Sequence, residues 1–237
     1  MDFNFLKEQV PTGESANYLD WLIQGSTTTV VVSVSAFFMA LLIGILVGSL
    51  RTTKGKAQCV ATGYFEIVRS IPFIALLFIN YYVVPVVFFP ELVKTADPNT
   101  MVYMTGIVSL AIFMSSRISA QVYAGIKALP AGQFQSAKAL GFSTFQSYTR
   151  FFIPQALRNI VPTLTSEAMN TVKNSAVVSA IGLVDLSLQA QSIIEYTAKP
   201  IEAFICIALG YLLINGVVLV IMKTIERATK RALPDPV

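Results

Sequence analysis

Two groups of residues in this sequence could do chemistry inside an otherwise apolar chain. One is Arg117, with Ser115, Ser116, Ser119 and Gln121 around it. The other is Glu167, Asn170, Lys173 and Asn174. Glu167, Asn170 and Asn174 are spaced so that a helix carries them on one face, and Lys173 stands three residues beyond Asn170, within side-chain reach. Such groups bind, orient and compensate charge; they are not a nucleophile with a base. The chain has no histidine, the commonest acid/base residue and metal ligand. Its two cysteines, Cys59 and Cys206, form neither a disulfide framework nor a zinc pattern. Gly55-Lys56 is not a nucleotide loop, because the upstream glycine and the following Ser or Thr are missing. No catalytic residue and no metal site is therefore read from the chain, and no enzyme activity is expected of it.

The surroundings make these polar groups informative. Of 237 residues, 54% are hydrophobic and 13% charged. Uncharged runs of about twenty residues recur, long enough to cross a hydrocarbon core of roughly 30 Å as helices. The net charge of +4 comes from basic residues between the runs, not from one patch with interleaved aromatics, so it reports orientation and not a nucleic-acid partner. An arginine at the centre of a span costs about 2.5–3.5 kcal/mol on insertion scales. Arg117 must then either snorkel to the cytoplasmic headgroups or face a path for substrate, and both readings stand at this level. The stripe on the later helix reads either as interhelical glue, worth about 0.6–2 kcal/mol per hydrogen bond, or as the wall of that path.

The elements that position these groups follow from the runs. Residues 1–25 form an external tail that is not a cleavable signal peptide, with Tyr18, Leu19, Trp21, Leu22 and Ile23 on a short interfacial helix leading in. Spans are predicted at about 26–50, 64–89, 101–125, 156–178 and 203–222, within a transmembrane domain of 26–226. Gly44 and Gly48 in the first allow close helix approach. Glu66 and Arg69 are expected to pair. Pro85, Pro90, Glu91, Asp97 and Pro98 mark an external loop. A second external segment runs from Ser179 to Lys199 and includes a short amphipathic helix. The cytoplasmic side collects Arg51, Lys54, Lys56, Lys127, Lys138, Arg150, Arg158, Lys223, Arg227, Lys230 and Arg231, and the outside only Lys7, Lys94 and Lys199. The expectation is an all-α integral membrane protein with five transmembrane helices, N-terminus out and C-terminus in, ending in a cytoplasmic tail at 227–237.

The cytoplasmic segment 132–155 is basic and has no acidic residue. It reads as two short helices joined at Gly141, which permits a left-handed stop, with Ser143 capping a second helix from Thr144. This segment resembles the cytoplasmic signature of ABC-importer permeases. Gln135-Ser136-Ala137 stands for its first part, Gly141 for its glycine, and Phe151-Phe152-Ile153-Pro154 for its end, with Gln135 replacing the usual acid. The likeness covers nearly the whole chain and is closest to the polar amino-acid subfamily, glutamate/aspartate importer permeases in particular. It is carried by TGYFEIVRSIPFIALLF, GIKALPAGQ and TSEAMNTVKNSAVVSAIGLVDL. Many members of the broad subfamily carry Tyr, Glu and Arg where this chain has Arg117, Ala120 and Tyr123, and arginine at the first of these positions resembles the acidic-amino-acid type.

The resemblance implies a type I ABC-importer permease fold in a bacterial inner (plasma) membrane. It further implies an ATPase subunit in two copies, a second permease subunit, identical or homologous, and an external or periplasmic substrate-binding protein. ATP and Mg would be bound by the ATPase, so no cofactor is expected in this chain. Gln135, Ser136, Ala137, Lys138, Gly141 and Pro154 become candidates for coupling to the ATPase. Arg117, Ser116, Glu167, Asn170, Lys173 and Asn174 become candidates for the substrate path, where an arginine fork suits a dicarboxylic amino acid. The alternatives are a permease for glutamine or a basic amino acid, an ion-coupled secondary transporter, and a membrane scaffold. Five spans do not divide into equal repeats, which weakens the secondary transporter, and polar stripes on two spans weaken the scaffold.

Overall fold

The computed structural model describes residues 2–13 and 15–231, so the predicted tail at 227–237 is seen only as far as Arg231 and the rest of it lies outside the described residues. Among the described residues the chain is helical, apart from one bridge between Gln9 and Asn17. In order come α1 (Tyr18–Arg51), α2 (Lys56–Ser70), α3 (Phe73–Phe78), α4 (Val84–Phe88), α5 (Pro90–Thr95), α6 (Pro98–Lys127), α7 (Ala131–Ala139), α8 (Thr144–Ser147), α9 (Ile153–Ser175), α10 (Leu186–Thr197) and α11 (Pro200–Arg231). Among the described residues three helices are long and apolar enough to cross a membrane alone, α1, α6 and α11; the number rises to five if each of two broken pairs, α2 with α3–α4 and α8–α9 with α10, is one span. Much of α1 is Thr, Val and Ser, which are weak helix formers in water. Hydrocarbon reverses that preference, because only a helix satisfies every backbone N–H and C=O within the segment.

The chain divides into two compact units. One comprises the chain up to Ala36, Phe73–Leu110 and Asn170–Val217; the other comprises Phe37–Pro72, Ala111–Met169 and the chain from Val218. In the first unit Phe5, Tyr18, Trp21, Leu22, Leu186 and Ile193 are buried together, with Tyr18 and Trp21 edge to face at 5.7 Å. The expected interfacial helix is therefore not a separate element, and its aromatics are core residues. Asn17 and Asp20 exchange side-chain-to-backbone hydrogen bonds of 3.0 and 2.9 Å that start α1 at Tyr18, and nothing breaks the helix before Ser26. Gly25 does not, because it faces Leu186, whose Cα would lie 2.9 Å from an added Cβ. The predicted external segment from Ser179 holds a 3-10 turn, Gly182 in the left-handed region at φ 91°, and Asp185 as the N-cap of α10, accepting from Leu188 N–H at 2.9 Å.

In the second unit the expected role of Gly44 and Gly48 is found. A Cβ on either would stand 2.6 Å from Ile118 Cγ2 or 2.7 Å from Val122 Cβ, so α1 and α6 touch along this seam. The predicted span 64–89 is corrected. Helix α2 starts earlier, at Lys56, and ends at Ser70. Ile71 is extended at φ −95° and ψ 128°, as the residue before Pro72 must be, and Pro72 has no N–H to carry the ladder on. The fourth span also differs from expectation. From Thr144 the chain passes through a π turn at Tyr148–Phe152 directly into α9, so the second of the two predicted short helices is continuous with α9. Pro154 cannot donate to the carbonyl four residues back; the turn absorbs this by having Ile153 N–H bond Tyr148 C=O.

Candidate functional site

The polar wall predicted on α6 divides by partner. Ser115 and Ser116 donate to the carbonyls of Ile112 and Phe113 at 2.7 and 2.9 Å, as hydroxyls in a helix do when no better partner offers. Ser115 also meets the Tyr64 hydroxyl at 2.7 Å, and Ser119 accepts from Arg51 at 3.2 Å. Arg117 instead pairs with Glu167 of α9: Nε lies 2.7 Å from Oε2 and one terminal nitrogen 3.3 Å from Oε1. The Arg117 side chain is 45% exposed and that of Glu167 only 7%. Both line a cleft of about 270 Å³ with Phe65, Arg69, Ser116, Ala120 and Gln121, close to the roughly 300 Å³ at which small-molecule sites begin.

Two guanidiniums line the cleft, Arg69 and Arg117, and each has a carboxylate partner, Glu66 for the first and Glu167 for the second. Its floor is tied to a further cation, since the Arg51 guanidinium carbon stands 3.5 Å from the Phe65 ring centre and 4.7 Å from that of Tyr123, while Arg69 is 5.2 Å from Phe65. Such a site can take a small solute bearing carboxylate, through charge-assisted hydrogen bonds. The structure thus brings together Arg117, Ser116 and Glu167. Asn170, Lys173 and Asn174 fall in the other unit, where Asn174 donates to the Asn170 carbonyl at 2.8 Å and Lys173 is exposed. Phe65 and Arg69 were not among the predicted path residues. Arg69 does pair with Glu66, as expected, at 3.6 Å; its place just before the Ile71-Pro72 break was the signal that it ends a helix facing something.

The segment 132–155 has the predicted shape in α7. Gly141 sits at φ 78°, and the bonds Phe142 N–H to Ala137 C=O at 3.1 Å and Gly141 N–H to Lys138 C=O at 3.0 Å close α7 as a Schellman motif. Ser143 and Gln146 form a full capping box for α8. Ala137 does not face outward. It is buried with Leu129 and Phe152 against Phe134, Tyr148 and Phe151, and the Phe134 and Phe152 rings lie 4.1 Å apart. The surface is left to Gln135, Ser136 and Lys138, with Leu140 and Phe145 exposed by 73% and 78%. Pro154, half-buried, opens α9 behind them.

Long apolar helices, a charged cleft lined by α2, α6 and α9, and a short helix closed by a Schellman motif are the features of a membrane transport component. Residues 40–231 match the family of the binding-protein-dependent transport system inner membrane component, and the chain belongs to it. The chain is 37% identical over 229 residues to the glutamate/aspartate import permease protein GltJ of Escherichia coli (strain K12), covering 94% of this chain and 92% of that one. It is 29% identical over 194 residues to the probable glutamine ABC transporter permease protein GlnM of Bacillus subtilis (strain 168), covering 81% and 86%. A crystal structure of an amino acid ABC transporter with histidines superposes at a TM-score of 0.74, with 28% identity, 89% of this chain and 95% of that one. The inward-facing MetNI methionine ABC transporter superposes at 0.73, with 22% identity over 89% and 97% of the two chains, which speaks for the fold alone.

Proposed function

We propose that this chain is a permease subunit of an ATP-driven importer of acidic amino acids, glutamate or aspartate. The observation that carries the reading is Arg117, half-exposed in the cleft although Glu167 already holds one side of its guanidinium; the similarity to GltJ supports the same substrate class. A dicarboxylic amino acid brings a side-chain carboxylate, which the guanidinium can take bidentately. The chain crosses the membrane five times with its N-terminus outside, each broken pair counting as one span, which keeps α7 on the basic, cytoplasmic side. There α7 meets an ATPase subunit, present in two copies, which binds ATP and Mg; a second permease completes the path, and a binding protein delivers substrate from outside.

A second reading is favoured by the ion pair itself. Glu167 already neutralises Arg117, and a cleft so compensated can accept a neutral zwitterion such as glutamine, in keeping with the likeness to GlnM. The test is uptake of labelled glutamate, aspartate and glutamine into proteoliposomes holding the permease, its ATPase and its binding protein. The proposal expects uptake of the two acids that requires ATP. Uptake of glutamine alone would replace the substrate, and uptake driven by an ion gradient without ATP would overturn the importer.

A further inference from the structure

We infer that Glu167 is a positioning residue that turns Arg117 so that one edge of its guanidinium is held by the protein and the other is offered to the carboxylate of the substrate's side chain. The inference rests on the proposed acidic substrate. A guanidinium has a side edge, Nε with one terminal nitrogen, and an end edge made by the two terminal nitrogens, and each can take a carboxylate bidentately. Glu167 occupies the side edge, at 2.7 and 3.3 Å. The end edge belongs to a side chain that is 45% exposed and lines the cleft, beside Arg69, Ser116 and Gln121.

The rival arrangement has the substrate displace Glu167 from Arg117. Energetics decide against it. The Glu167 side chain is only 7% exposed, so displacing it from Arg117 would strand a carboxylate that water hardly reaches, whereas a substrate carboxylate can take the end edge of the same guanidinium without that loss. Glu167 keeps its hold while substrate binds. The pair also fixes a residue with several rotatable bonds before substrate arrives, so less ordering entropy is lost on binding.

The consequence is a difference between two cations that simple charge does not predict. A lysine at 117 can pair with Glu167, but its ammonium is a point charge with no second edge. In the permease–ATPase complex purified without binding protein, Arg117→Lys is expected to leave the melting temperature near that of the unmodified complex and to raise the Kd for labelled glutamate by about tenfold or more, the factor set by about 1.4 kcal/mol. Glu167→Gln keeps the shape and one acceptor, and is expected to weaken glutamate binding several-fold, a loss that Glu167→Asp, which keeps the carboxylate, partly restores. Glutamate binding by Arg117→Lys or Glu167→Gln as tight as that of the unmodified complex would overturn the positioning role and leave the importer reading intact. Absence of glutamate binding and uptake by the unmodified complex would instead overturn the acidic substrate and this inference with it.

Discussion

Arg117 and Glu167 differ in how much water they keep, and that difference predicts unequal penalties for removing them. Arg117→Ala leaves a carboxylate that is 7% exposed without its cation, whereas Glu167→Ala leaves a guanidinium that is 45% exposed and can hydrate. Arg117→Ala is expected to lower the melting temperature of the detergent-purified protein clearly more than Glu167→Ala, and the double substitution to recover part of the loss. Equal shifts would overturn the argument from burial, and no recovery in the double substitution would show that the pair contributes little to stability. The sequence shows each member as a polar residue where lipid is expected, but not their pairing. Glu66 and Arg69, three apart on one helix, are legible as a pair; Arg117 and Glu167 stand 50 residues apart on different helices, and which two faces meet is decided by packing. The seam set by Gly44 and Gly48 against Ile118 and Val122 fixes the face that α6 turns to α1, and with it the one left for the cleft.

Among the elements, α7 carries the clearest prediction, because its C-terminal stop depends on one backbone conformation. Gly141 at φ 78° cannot be proline, whose ring holds φ near −65°, and its N–H closes α7 on Lys138 C=O. Gly141→Pro is expected to leave the protein inserted in membranes at normal amount while ATP-dependent uptake falls to background and ATP hydrolysis persists. Ala137→Glu reaches a similar end by another route. It forces a carboxylate under α7, between Phe134 and Phe152, so it lifts the helix off its seat, and protease sensitivity near residue 139 should rise along with the loss of uptake. Intact coupling in both variants would remove α7 from the transmission. The turn chemistry here, glycine then Ser143 with Gln146, was readable because it is local. The continuity of α8 with α9 was not, since a proline removes the N–H that carries a helix on and only the π turn at Tyr148–Phe152 shows how the helix survives Pro154. At Pro72, with no such turn, the same residue type does end a helix.

At the scale of the whole molecule, the number of times the chain crosses decides the side on which α7 lies. With an external N-terminus, three crossings by α1, α6 and α11 would carry the chain inward through α1 and outward through α6, leaving Lys138 outside. Five crossings, with α2 to α4 returning the chain before α6, place Lys94 outside and Lys138 inside. The two counts therefore exchange the sides of these residues although both end with the C-terminus in. Charge favours five, because Lys138, Arg150 and Arg158 then share the side of Arg51, Lys54 and Lys56. Both lysines are exposed and neither belongs to the cleft; Lys94 makes only a surface pair with Glu91, which contributes at most about 1 kcal/mol. With Cys59 and Cys206 changed to serine, Lys94→Cys is expected to react with a membrane-impermeant maleimide in intact cells, and Lys138→Cys only in inverted vesicles or after permeabilisation. The reverse result would put α7 outside, beyond reach of any ATPase, and would undo the importer reading at its root.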